Sequence, residues 1–218
     1  MGTTVPNPYA TEIAMDLGEI IKAPLADKDW WKKCLVMGLM FLIPIAGPLN
    51  LLGYSKAVYR QRSSGETALP PAALAYIGDG FWILVAMLPM VGVMIVAEIV
   101  VVVLGSVLGH VNHHLGGIVA MIGMLLIGLL GLAFGVLYPA ILYRHIVHGD
   151  RWASLNVSGV LAAVKSGPYL MLWVTVLVGG IIGGLGSVAC GVGYFITFPL
   201  AYCIYGTALA DFDKASRG

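Results

Sequence analysis

The chain is poor in charge: Asp, Glu, Lys and Arg make up 11% of its 218 residues, where soluble domains carry about 25%. Apolar residues make up 59%, and the mean hydropathy is +0.92. A water-soluble globule of this length cannot hide that much apolar surface. The net charge of +1 leaves no basic field with which to hold nucleic acid. Cysteine is scarce too. Cys34, Cys190 and Cys203 lie far apart in apolar runs without a CxxC pair, which excludes a disulfide framework or zinc site and reads as small core residues. Residues 1–30 carry Glu12, Asp16, Glu19, Asp27 and Asp29 and no unbroken apolar stretch. No cleavable signal peptide is visible, so the first apolar segments are expected to direct insertion. Catalytic signatures are missing as well: there is no Ser–His–Asp set, HExxH, phosphate loop or pair of intramembrane aspartates, and GDG at 78–80 lacks the strand–turn–helix context of a dinucleotide site. These absences point to a non-catalytic integral membrane protein without a cofactor.

What is present is a series of apolar runs. Crossing a hydrocarbon layer of about 30 Å takes about 20 apolar residues. Residues 34–55 are free of charge but interrupted by Pro44, Gly47 and Pro48; residues 81–109 contain one charge, Glu98; residues 115–143 and 166–210 contain none. The last run is long enough for two helices, with GGIIGGLGSVACGVG as the break. The expected fold is an all-α, polytopic membrane helix bundle, one membrane domain over residues 1–218. It consists of an interfacial segment at 1–33 and three helical hairpins at 34–62, 81–145 and 169–211. The arms pair about 34–46 with 48–62, 81–108 with 117–145 and 169–185 with 190–211. Arms as short as those of the first hairpin reach only about 20 Å. That hairpin is therefore expected to be re-entrant, with its IPIAGP tip buried in protein.

Each hairpin follows a semi-polar segment with an aromatic entry (ADKDWW, YIGDGFW, AVKSGPY), the residue types that favour the headgroup level. With both termini cytoplasmic, all 12 Lys and Arg residues fall on the inner side, and the loops at 44–48, 109–116 and 186–190 carry none. A five-span layout with the N-terminus outside is the alternative. An internal repeat accompanies the hairpins. Tyr54, Tyr59, Arg60 and Gly65 match Tyr138, Tyr143, Arg144 and Gly149 at an offset of 84, each set followed by an acid, Glu66 or Asp150. Met37, Met40, Leu42, Ile43 and Gly47 meet Met121, Met124, Leu126, Ile127 and Gly131 at the same offset, and FPLAYCIYGTALADF forms a weaker third copy.

The opening DWWKKCLVMGLMFLIPIAGPLNLLGYSKAVYRQRSSGETALP, followed by GDGF, resembles a family labelled domain of unknown function 4013. The matching positions are Asp29, Trp31, Ile43, Pro44, Gly53, Tyr54, Arg60, Leu69, Pro70, Asp79 and Gly80, and the similarity extends over about residues 12–211. The resemblance implies a bacterial or archaeal polytopic protein of the cell membrane (the inner membrane, in bacteria) and supplies no activity. Glu98 and the His cluster in the middle of the chain depart from the family pattern.

Few polar residues interrupt the runs. An ionised Glu98 inside a helix costs about 2.5–3.5 kcal/mol on insertion scales, so it is expected to face the bundle, a cavity or a partner. It serves either as a carboxyl bonded to a neighbouring helix or as a proton-, ion- or metal-handling group. His110, His113 and His114 have the i, i+3, i+4 spacing of one helix face, which suits a transition metal or, with a single axial His, a pigment; a polar cap at the membrane surface is the plainer reading. His145 and His148, beside Arg144 and Arg151, are expected to contact lipid headgroups. Asn50 is expected either to line a polar path or to form an interhelical hydrogen bond. The pairs Gly105/Gly109, Gly131/Gly135, Gly179/Gly183 and Gly180/Gly184 keep small-xxx-small spacing and mark a packing seam, within the chain or between chains. The expected partners are the bilayer and other membrane subunits or further copies of the chain, with no nucleic acid. Three functions are open: a structural or accessory subunit of a membrane assembly, a channel or transporter for a small solute or ion built on the broken first hairpin, and a metal or pigment binder.

Overall fold

The computed structural model describes residues 15–188 and 193–217. Cys190 and the acidic residue Glu12 lie outside them. The described chain is all α-helical: α1 (Leu17–Lys22), α2 (Trp30–Met40), α3 (Ala46–Ser63), α4 (Ile77–Val111), α5 (His113–His148), α6 (Val157–Val164), α7 (Tyr169–Leu185) and α8 (Tyr194–Arg217). Leu74–Val111, His113–His148 and Tyr194–Arg217 are long and apolar enough to cross a membrane. Among the described residues, internal contacts group those up to Ile83 with those from Ala163 onward as one compact unit and residues 84–162 as a second.

In the first unit α8 is the central element, packed by α2, α3 and α7. Its Cys203, Ile204, Ala208, Leu209 and Phe212 are all buried, as is Cys34 on α2. The approach is close because glycine backbones meet their neighbours directly. A Cβ at Gly38 would overlap the Phe195 carbonyl, and one at Gly206 would overlap the Ser55 carbonyl. The break between α2 and α3 lies at residues 41–45, a few residues earlier than the sequence suggests. Pro48 falls in the first turn of α3, where a missing N–H costs nothing.

The IPIAGP tip differs from expectation. Leu42, Ile43 and Ile45 are 62%, 42% and 79% exposed, so the tip is not buried within the described chain. Most of its backbone N–H groups find acceptors within the turn instead: those of Leu42, Ile43, Ala46 and Gly47 donate to Leu39, Met40, Pro44 and Ile43. Apolar side chains around a self-bonded turn suit lipid as well as protein, because an unsatisfied backbone group is what hydrocarbon forbids. Ile45 holds φ at 65°, a region that costs a β-branched residue strain.

In the second unit α4 and α5 form a hairpin whose connection is a single residue. Asn112 caps α5, its Oδ1 accepting from the N–H groups of His114 and Leu115. The glycines at 109, 116 and 117 do not make a loop; they remain helical. A Cβ at Gly116 would overlap Gly109, and one at Gly123 would overlap Val101. Both α3 and α5, the matching helices of the repeat, end on a glycine with left-handed φ, Gly65 at 88° and Gly149 at 69°. The repeated YR-x4-G is thus a helix stop, and glycine is required there because an L side chain resists that conformation. The weaker third copy lies in α8, which continues to Arg217 without such a stop.

Candidate functional site

Two features of the fold bear on function: a polar clasp in the first unit and an unpartnered acid in the second. The clasp is built on Asn50, which is fully buried on α3. Its Nδ2 donates to the Ala73 carbonyl at 2.9 Å, and its Oδ1 accepts from the Tyr76 N–H at 3.1 Å. One turn along, Tyr54 donates from its hydroxyl to the Pro70 carbonyl at 3.0 Å. The two side chains hold the segment 69–76, which ends in a single 3-10 turn at Leu74–Tyr76, against α3. A proline-rich stretch has few N–H groups of its own to pair, so side-chain clips replace a regular ladder.

The ends of the clasp are charged. The Asp27 carboxylate accepts from Lys33 Nζ at 2.7 Å and from the Leu69 N–H at 2.7 Å, while Lys33 also donates to the Leu69 carbonyl. Burial by itself would push the Asp27 carboxyl up; the bonds from Lys33, Leu69 and Asp29 outweigh it and hold the group below the usual carboxylate range. At the start of α4, Asp79 accepts from Lys56 at 2.8 Å and from Arg60 at 3.0 Å. Between these points α3 and α4 cross at backbone contact. A Cβ at Gly53 would overlap the Tyr76 carbonyl, and one at Gly80 would overlap the Leu49 carbonyl.

Glycine–tyrosine, the arginine, leucine–proline and aspartate–glycine, scattered over residues 53–80, therefore meet in one clasp. The chemistry of these contacts is packing and hydrogen bonding. Sequence reasoning found the residues as a pattern but not as a contact set, since nothing in the spacing says that Pro70 returns to Tyr54.

The second feature is Glu98, midway along α4. The most apolar stretch of α4 has no buried residue, and that of α5 is 6% buried. Glu98 itself is exposed and has no hydrogen bond or ion pair among the described residues. Within its own unit, Glu98 has neither of the first two surroundings expected for it (the bundle, a cavity, a partner).

The His residues separate. His110 ends α4, with Nδ1 2.7 Å from the Ser106 carbonyl, while His113 and His114 open α5 beyond the Asn112 break. The single-face spacing that a metal reading needs is thus lost at Asn112. No three His, Cys, Asp or Glu side chains among the described residues group closely enough to hold a metal. His145 is buried, with Nδ1 3.0 Å from the Asp150 carbonyl, and His148 packs edge-on against Tyr143. The expected headgroup contact is replaced at His145 by a bond that closes the turn after α5. Asp150 also holds Asn156 at 2.9 Å and faces Arg144 at 3.6 Å, and these contacts, the Asn156 bond foremost, hold its carboxyl below the usual range.

The glycine pairs divide similarly. Gly179 and Gly183 face Tyr205 and Ala201 of α8, and Gly105 and Gly109 lie beside Ala120 and Gly116 of α5, so both pairs form seams within the chain. Around Gly135 and Gly184 there is open space; Gly131 is touched only by the Met94 methyl, and Gly180 only by the Tyr205 hydroxyl.

A family model described as "Protein of unknown function (DUF4013)" matches residues 36–192. No curated protein and no solved structure matches the chain.

Proposed function

Since the chain belongs to this family, the proteins of unknown function DUF4013, we propose that it is a non-catalytic integral membrane protein, a structural or accessory subunit of a membrane assembly. Glu98 carries the reading. The apolar run at 81–109 is about 43 Å long at the standard rise, against a hydrocarbon layer of about 30 Å. Held upright, the hairpin pushes about 13 Å of apolar tip into water. Tilted by about 40°, the limit seen for spans, it fits, but Glu98, about 26 Å along the run, lies in hydrocarbon in either arrangement. Lipid satisfies neither arrangement. A protein partner that covers the hairpin and bonds the Glu98 carboxyl satisfies both.

A channel or transporter is the second reading, and its polar candidates are Asn50 and Glu98. Both faces of that amide are engaged by the 69–76 segment, which supports a structural use over a permeation path. We place both termini on the cytoplasmic side of the cell membrane, because this puts every Lys and Arg inside. With the native Cys190 replaced by serine, a cysteine introduced at Asn112 should react with an impermeant maleimide from outside intact cells, and one at Lys28 should not. Reaction at residue 28 contradicts the placement. The assembly reading is tested by mass. Extracted into native nanodiscs, the protein should run in a particle containing more protein than one 23.0 kDa chain; a single chain per disc contradicts it.

A further inference from the structure

The second unit contains a cavity of about 170 Å³, half open to its surroundings and almost wholly apolar. Pro89 and Val93 of α4, Phe134 and Ile141 of α5, and Val160 of α6 line it, together with Ser154 from the turn before α6. One observation sets it apart from a packing defect. The Ser154 hydroxyl oxygen is enclosed and has no hydrogen-bond partner among the described residues. Enclosed hydroxyls are nearly always bonded, and one left without a partner in an apolar pocket marks a missing acceptor.

We infer that this cavity is a lipid site, taking one acyl chain of a membrane phospholipid with the ester carbonyl accepting from Ser154. The volume slightly exceeds the 150 Å³ or so of a dry apolar cavity known to bind benzene, so it accommodates a segment of about six chain carbons and not a whole lipid. Its position fits this guest. The cavity begins about 10 Å inside the end of α5, counted from Ile141 to His148. Trp152, 54% exposed, and the exposed Arg151 lie just before Ser154 in sequence. An indole favours the headgroup level and an arginine favours an anionic headgroup. A water-filled pocket is disfavoured because one hydroxyl cannot supply the two to four polar partners an enclosed water needs.

The inference rests on the reading of α4 and α5 as membrane spans, and the test separates the two. The full chain is expressed in membranes and labelled with a phosphatidylglycerol carrying a diazirine at the end of one acyl chain, and the labelled peptides are mapped. Label should concentrate on the peptides that contain residues 89–93 and 154–161. Val93→Phe fills the cavity from a half-exposed position that tolerates added volume, and should lower that labelling at least fivefold. Val100→Phe, on the same helix but outside the cavity, should leave it unchanged. Ser154→Ala should weaken retention of the lipid in lipid-free detergent severalfold while keeping the label in the same place. Label spread evenly along the hairpin, or undiminished by Val93→Phe, overturns the lipid site. A chain absent from the membrane fraction overturns the span reading itself.

Discussion

Gly80→Ala should unfold the clasp, lowering the melting temperature by about 6–12 °C, while Gly78→Ala two residues earlier should leave it unchanged. The contrast follows from what each new methyl meets. At Gly78 there is nothing within 4 Å, whereas at Gly80 the methyl would occupy the position of the Leu49 carbonyl and crowd the Gly53 N–H. Those atoms are backbone, so they cannot rotate aside; α3 and the start of α4 must separate. Separation pulls on the Asp79 pairs with Lys56 and Arg60 and on the Asn50 bonds to Ala73 and Tyr76. Overpacking costs about 1–3 kcal/mol even where side chains can yield, and about 3 kcal/mol corresponds to the stated shift in a chain of this size. Fluorescence-detected melting in detergent reads it. Equal melting of the two variants would mean that the crossing of α3 and α4 is looser than described.

Glu98→Leu should weaken assembly about a hundredfold or more while raising the melting temperature of any free chain. The two effects have opposite signs because the carboxyl is a burden in lipid and an anchor in a complex. Removing one member of an enclosed bonded pair costs about 3–5 kcal/mol, since the other member is left without its partner. Without a complex, the same substitution removes the insertion cost of about 2.5–3.5 kcal/mol. Glu98→Gln keeps the shape and one acceptor and should assemble nearly as well as the parent. Size-exclusion profiles at a series of concentrations distinguish these outcomes. If the leucine variant assembles as the parent does, Glu98 is not at an interface.

Much of the architecture was legible in the sequence because hydrophobic length is a direct physical requirement. The run at 115–143 gave α5, and that at 81–109 gave α4. Turn chemistry was harder to read. Gly109, Gly116 and Gly117 signalled a loop, yet in a pair of apolar helices a missing side chain serves equally well as a contact, and Asn112 alone makes the break through its cap. The break also divides the His cluster, because the one-face spacing of His110, His113 and His114 requires a continuous helix. Conversely, Asp16 with Glu19 three residues later is a helix-start signal, and α1 begins there, with Asp16 Oδ1 accepting from the N–H groups of Gly18 and Glu19. The clasp was illegible for a different reason. Its partners are 16 to 42 residues apart, and local periodicity says nothing about which extended segment returns to which helix. The helix stop at Gly149, by contrast, was visible as half of a repeat before its left-handed backbone gave it a cause.

The central claim is that protein, not lipid, covers the face of α4 around Glu98. A photoreactive amino acid placed at Val102, one turn from Glu98 and 68% exposed, tests it in native membranes. The claim predicts a discrete crosslinked band heavier than the single chain, lost when Glu98→Leu is introduced alongside. Crosslinks to lipid alone, with or without that substitution, would contradict it.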